Sequence, residues 1–167
     1  MLVGIISDSH GDADATAKAV ALLKRRGAEK LFHCGDICGT GVLDELAGHD
    51  CTFVWGNCDD PSPLIRQYAA MIGLSTPPSP VHVEVAGKRI GLYHGHERRF
   101  RFAHHEQKLD YLFYGHTHQH ADHRENGCRM INPGALHRAA IKTVATLDLD
   151  TGELTFLSVD TGEEVTL

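Results

Sequence analysis

The chain has 167 residues, 42% hydrophobic and 23% charged, and 16 Lys and Arg against 22 Asp and Glu give a formal net charge of −6. This predicts one globular domain over residues 1–167; the acidic total argues against a broad nucleic-acid surface, which needs a basic face, and the apolar runs are too short to span a bilayer. Five scattered cysteines (Cys34, Cys38, Cys51, Cys58, Cys128) fit a reducing cytoplasm better than a disulfide framework.

Leu2–Ile6 reads as a buried strand that runs straight into a polar motif, which is not the pattern of a signal peptide. A helix is predicted from Asp12 or Asp14 to Arg26, with Ala17, Val20, Ala21 and Leu23 apolar and Gly27 as its stop. Lys30–His33 reads as a second strand, Val42–Ala47 as a short helix and Cys51–Trp55 as a third strand. This alternation implies a parallel sheet with right-handed crossovers, where ligands gather beyond the carboxyl ends of the strands. Pro61 is placed to open a helix running to about Met71, and the proline-bearing stretch Gly73–Pro80 is a connector. The second half is richer in strands. Val81–Val85 and Arg89–Tyr93 flank Ala86-Gly87, and Ala121–Glu125 and Cys128–Asn132 flank Asn126-Gly127. Thr143–Leu149 and Leu154–Val159 flank Asp150-Thr151-Gly152-Glu153, so three hairpins are predicted. Between the first two hairpins, Phe102–Lys108 is predicted as a helix and Tyr111–Tyr114 as a strand.

Five polar blocks stand at the ends of these strands: Asp8-Ser9-His10, Gly35-Asp36, Gly56-Asn57-Cys58-Asp59, His94-Gly95-His96 and Gly115-His116-Thr117-His118. Carboxylate and amide oxygens with imidazole nitrogens suit divalent transition metals. Each block alone has a plainer reading, as a polar surface tripeptide, a turn or an edge-strand pair. Together, at successive strand ends, they mark Asp8, His10, Asp36, Asn57, His94, His116 and His118 as metal-ligand candidates around one site. The Asp36 carboxylate can bridge two ions where the others converge on it.

The order D-x-H, G-D, G-N-x-D, H-G-H, G-H-T-H spans residues 8–118 and resembles the signature of the calcineurin-like metallophosphoesterase superfamily. The compact length, the Gly-Asn-Cys-Asp block and Asn132-Pro133-Gly134 resemble its small bacterial and archaeal phosphodiesterases. The resemblance implies an α/β fold, a four-layer α-β-β-α sandwich with two mixed β-sheets flanked by helices. It implies two divalent metal ions drawn from Mn, Fe, Ni, Co or Zn. Asp8, His10, Asp36 and His118 would hold one and Asp36, Asn57, His94 and His116 the other, with a hydroxide bridging opposite Asp36. Cations so placed lower the pKa of that water, polarise the phosphoryl oxygens and stabilise in-line displacement. The expected activity is hydrolysis of a small phosphate ester, a diester before a monoester.

Two positions depart from the family pattern. Many relatives have a histidine, thought to protonate the leaving group, where this chain has Cys58; a thiol of reference pKa ~8.5 is a poor acid for that step. Ala135 stands where the small phosphodiesterases often have serine. Asp36, Asn57, His10, Asp59 and His96 form the candidate catalytic set. Within it, Asp59 either orients His10 or caps a turn, and His96 lies either behind the ligands or against substrate. Arg98, Arg99 and Arg101 either hold a substrate phosphate or form a solvated basic turn. The remaining histidines read as surface or structural, with His33 and His120 as the exceptions to watch. Two functions compete with a small-substrate enzyme. One is a non-catalytic metal-binding interaction scaffold, as in a retromer subunit of this fold, which the intact ligand set speaks against. The other is a nuclease, which the acidic charge speaks against. Assembly into a homo-oligomer is compatible with the chain.

Overall fold

The computed structural model of the chain describes residues 1–75, 79–103 and 108–166, with the side chain of Arg101 left outside the description. The first half contains β1 (Leu2–Ile6), α1 (Ala13–Arg25), β2 (Lys30–His33), α2 (Thr40–Leu46), β3 (Cys51–Phe53) and α3 (Pro63–Met71). Then come β4 (Val81–Val85), β5 (Lys88–Leu92), a 3-10 turn at Phe100–Phe102, β6 (Tyr111–Phe113), β7 (Ala121–Glu125) and β8 (Cys128–Asn132). The last strands are β9 (Thr143–Asp148), β10 (Leu154–Ser158) and β11 (Glu164–Val165).

These strands form two sheets, ordered β11-β10-β9-β1-β2-β3 and β4-β5-β6-β8-β7. In the first, β1, β2 and β3 are parallel and β9 returns antiparallel beside β1. In the second, β5, β6 and β8 are parallel, and two hairpins add β4 and β7 at the edges. Both sheets are therefore mixed.

Strand alternation, with successive side chains on opposite faces, assigns the layers. Val3, Ile5 and Phe32 of the first sheet meet Ile90, Leu92, Phe113 and Ile131 of the second in a shared core. Ile6 and Leu31 point the other way, into the cluster with Ala19, Val20 and Leu23 of α1 and Leu43 and Leu46 of α2. On its outer face the second sheet carries Leu112 and Met130, packed with Phe100, Ala103 and Leu109. The order is helices, sheet, sheet and a thinner layer around the 3-10 turn, which is the sandwich the sequence predicts. No helix among the described residues is long and apolar enough to cross a membrane.

Most boundaries fall within two residues of the prediction, and the differences have local causes. Asp12 caps α1 by accepting from the Ala15 N–H, and Lys24 and Arg25 sit in its last turn, so both ends suit the helix dipole. α3 starts at Pro63 instead of Pro61, because Ser62 caps it by accepting from the Ile65 N–H. Pro63 then occupies the first turn, where no amide donor is required. α2 begins at Thr40, ahead of the predicted Val42. Of the helix predicted over Phe102–Lys108, the described part is the end of the 3-10 turn, Ala103 and Lys108, which has a non-helical φ of 48°; residues 104–107, with His104 and His105, lie outside the described residues, as do 76–78 in the connector. β11 adds a strand the sequence does not predict, since two residues opposite Phe156 and Leu157 carry no readable period.

Candidate metal centre

The loops leaving β1, β2, β3, β5 and β6 meet at one end of the sandwich, and five ligand candidates sit there in tight bends. Asp8, His10, Asp36, His116 and His118 all have φ between 44° and 69°. Few non-glycine residues adopt this left-handed region, and Asp and His are among those that do so more readily. Backbone hydrogen bonds between loops fix the bends: Asp8 N–H to Gly35 O at 3.0 Å, His10 N–H to Asp36 O at 2.8 Å and Gly115 N–H to His94 O at 2.9 Å. A further bond ties the two sheets together, from the His116 N–H to Asp8 Oδ2 at 3.0 Å.

Asp8 is fully buried. Its Oδ2 accepts from Ser7 Oγ as well as from His116 N–H, but its Oδ1 is buried with no hydrogen-bond partner. That bare oxygen lies 3.3 Å from His118 Nε2 and 3.9 Å from His10 Nε2. The two imidazole nitrogens are themselves 3.2 Å apart. On the other side, Asp36 Oδ2 is 3.4 Å from His94 Nε2 and 3.5 Å from His10 Nε2, and Asn57 Oδ1 is 3.0 Å from His94 Nε2. Three overlapping groups result, Asp8–His10–His118, His10–Asp36–Cys58 and Asp8–Asp36–His94, each with ligand atoms within 4.8 Å of one another. Six of the seven ligand candidates are thus in direct mutual contact. The seventh, His116, is exposed with its ring 5.1 Å from that of His94. Lone pairs crowded around an unpartnered buried carboxylate oxygen are a donor set that a cation satisfies, so these residues fit metal ions.

Charge is tuned accordingly. Burial pushes the Asp36 carboxyl up, but the hydrogen bonds from His94 and from the Cys58 N–H at 2.8 Å outweigh it and hold the group well below the usual carboxylate range. Burial likewise opposes the charge on His94, and the neighbouring Asp36 and Asp8 carboxylates raise its pKa in spite of it. His10 is held below its ordinary value by burial, so its ring is disposed to stay neutral. His94 Nδ1 bonds the Cys34 carbonyl at 2.9 Å, which aims Nε2 at Asp36 and Asn57.

The supporting residues divide. Asp59 does not orient His10: its carboxylate oxygens accept from Cys38 N–H at 2.7 Å and Gly56 N–H at 2.6 Å, and it caps the turn. The atom facing His10 Nδ1 is instead Cys38 Sγ, at 3.8 Å. His96 is exposed, its ring 5.3 Å from His94 and 6.3 Å from His116, on the rim of the ligand cluster. Arg98 and Arg99 are exposed, and neither hydrogen-bonds to the ligand candidates; the Arg101 side chain lies outside the described residues. Cys58 is exposed, and its hydrogen bond to Asp36 raises the thiol pKa, which keeps the proton on sulfur at neutral pH.

Sequence reasoning missed two supports. Glu97 accepts from the N–H groups of His94 and Gly95 at 2.9 and 2.7 Å, fixing the His94 turn; its signal was an acid directly after His-Gly-His. Asn132 donates to Gly115 O and Thr117 Oγ1 at 2.9 and 3.0 Å, so the Asn-Pro-Gly segment anchors the His116–His118 loop. The ring of His137, read as surface or structural, lies 5.7 Å from that of His10.

His33 is fully buried, and its Nδ1 accepts from the Gly35 N–H, leaving the Nε2 proton for Ser9 Oγ at 2.7 Å. Burial pushes its pKa down to about 3, from ~6.5 in the unfolded chain. Between those values the unfolded chain binds a proton that the folded one does not. The contribution of His33 to stability is therefore complete above ~6.5 and is lost as pH falls towards the folded value, by about 1.4 kcal/mol per pH unit. Urea unfolding of chelator-treated protein from about pH 7 to about pH 4.5 should show this slope, and His33→Gln should flatten it. Parallel slopes in the two proteins would overturn the assignment.

The model of the calcineurin-like phosphoesterase superfamily domain matches residues 1–152. A phosphodiesterase of Methanocaldococcus jannaschii is 25% identical over 159 residues, covering 92% of this chain and 96% of that protein. The solved structure of an archaeal phosphodiesterase is similar with a TM-score of 0.85, at 24% identity over 95% of this chain and 99% of its own. A phosphoesterase from E. coli is similar with a TM-score of 0.76, at 23% identity over 99% and 97%. Likeness at those structural identities speaks for fold alone, whereas the family match takes in all five polar blocks and every strand except β10 and β11. The chain belongs to the calcineurin-like phosphoesterase superfamily.

Proposed function

We propose that the chain acts, as a single domain, as a metal-dependent phosphoesterase that prefers diesters and works with two divalent ions. Family membership supports phosphoesterase activity in general. The observation that carries the finer reading is Asp8 Oδ1, buried without a partner among imidazoles and carboxylates. Asp36 would be shared between the ions, with Asp8, His10 and His118 on one side and Asn57, His94 and His116 on the other. When bound, such a pair supplies an activated water and charge stabilisation on the phosphoryl oxygens.

The chain's own residues do the rest. Buried Asp8 and Asp36 keep the ligand charge fixed and dry, which strengthens electrostatic steering in the site. His96 on the rim is placed to exchange a proton with an ester oxygen or with solvent. A cavity of about 590 Å³, with His118, His120, Arg138 and Ile141 among its lining residues, opens beside the ligands and gives room for substrate.

Purified protein should hydrolyse a bis(aryl) phosphate, lose that activity to a chelator and regain it with Mn²⁺ or a similar ion. A lack of turnover across a broad panel of mono- and diesters, with both ions bound, would favour the interaction-scaffold reading instead.

A further inference from the structure

A second cavity, of about 320 Å³, shares a wall with the metal centre. Its lining includes Ile37, Leu43, Trp55 and Ile65, together with Cys38 and Cys58. The two cysteines connect it to the site. Cys38 Sγ is 3.8 Å from His10 Nδ1, and Cys58 Sγ lies within 4.8 Å of the ligand atoms of His10 and Asp36. A group bonded to a phosphate held at the metals can therefore reach into the cavity.

The walls define what that group is. Four apolar side chains line a half-open volume at the low end of ligand pockets, enough for about one ring system. Trp55 is the chain's single tryptophan and is 7% exposed. It is held in place by Phe53, edge-on at 5.0 Å, and by Arg66, whose guanidinium lies 5.8 Å over the indole. Those contacts fix the indole as one wall of the cavity. Asp59 and Asp60 also line the cavity, and their carboxylates disfavour an anionic occupant.

We propose that this cavity is a substrate subsite for an uncharged aromatic ring, carried as one arm of the phosphate ester. The proposal rests on the phosphoesterase reading and adds the class of ester. The apolar walls take the ring, and the shared cysteine wall keeps the phosphate at the ligand cluster.

Two non-hydrolysable probes test it on the metal-loaded protein: a nitrophenyl phosphonate, whose ring quenches tryptophan, and methylphosphonate. The aryl probe should quench Trp55 saturably and bind more tightly than methylphosphonate. Ile65→Phe, at a half-buried position of α3, fills the cavity. It should weaken the aryl probe about tenfold or more, the scale on which apolar pockets discriminate, and leave methylphosphonate and metal content unchanged. Equal affinity for the two probes, aryl binding without quenching, or an equal loss of both in Ile65→Phe would each overturn the subsite. If quenching and selectivity hold while no ester is turned over, the subsite stands and the phosphoesterase reading falls. If neither probe binds, both fall.

Discussion

Asp36→Ala is expected to lose both ions and to lower turnover of an activated diester by about 10²–10³-fold or more, the scale for deleting a single preorganised electrostatic group. Asp36 is the carboxylate proposed to be shared by the two ions, and it faces a histidine on each side. Its Oδ2 lies within 3.5 Å of both His10 and His94, and its Oδ1 anchors the Cys58 N–H of the Asn57 loop. Removing it takes away the shared charge and frees that loop together. His118→Ala removes a ligand candidate from one side, beside Asp8, and should weaken mainly one ion. Elemental analysis of the dialysed variants, with circular dichroism to confirm folding, separates the cases. Asp36→Ala that is folded and retains both ions would show that the carboxylate is not shared.

A single methyl group should be nearly as damaging in the right place. A Cβ on Gly56 would lie 2.1 Å from Asp36 Oδ1 and 2.5 Å from the Asp36 nitrogen. One on Gly115 would lie 1.9 Å from Ser7 Oγ and 2.5 Å from Asp8 Oδ2. Neither neighbour can retreat, because each belongs to a buried carboxylate or to the residue bonded to it. Gly56→Ala and Gly115→Ala should each weaken ion binding about 10–100-fold, as loss of a ligand's support does. Each should also destabilise the fold by about 1–3 kcal/mol through overpacking. Gly41→Ala, in α2 and meeting the Ala13 Cβ at 3.3 Å, is the control and should leave ion binding intact. Isothermal titration with Mn²⁺ reads the effect, and unchanged affinity in both loop variants would mean that the loops are free to move apart.

The placement of the site was legible because each apolar run stops at a polar residue. Leu2–Ile6 before Asp8, Lys30–His33 before Asp36 and Tyr111–Phe113 before His116 announce strand ends by themselves. Parallel pairing then brings such ends together without any detail of packing. What stayed hidden depends on distances between loops. Asp59 reads equally as an orienting acid or a cap until the Cys38 and Gly56 N–H groups are seen to claim its oxygens. Burial of His33 follows from tertiary packing, which a lone histidine at a strand end does not reveal. The start of α3 was within reach, since a serine directly before a proline is an N-terminal signal in its own right. The cavity beside Trp55 was not, because its walls come from α2, α3 and the two separate loops that precede them.

The ligand candidates are divided between the sheets: Asp8, His10, Asp36 and Asn57 follow strands of the first, and His94, His116 and His118 follow strands of the second. Neither sheet carries a working set by itself. Activity is in consequence a gauge of sheet-to-sheet docking, sensitive to sliding that would leave every helix and strand intact. On heating, inactivation should keep step with loss of the inter-sheet aromatic contact between Phe32 and Phe113, 5.2 Å apart, and precede loss of helical signal wherever the two layers part before they melt.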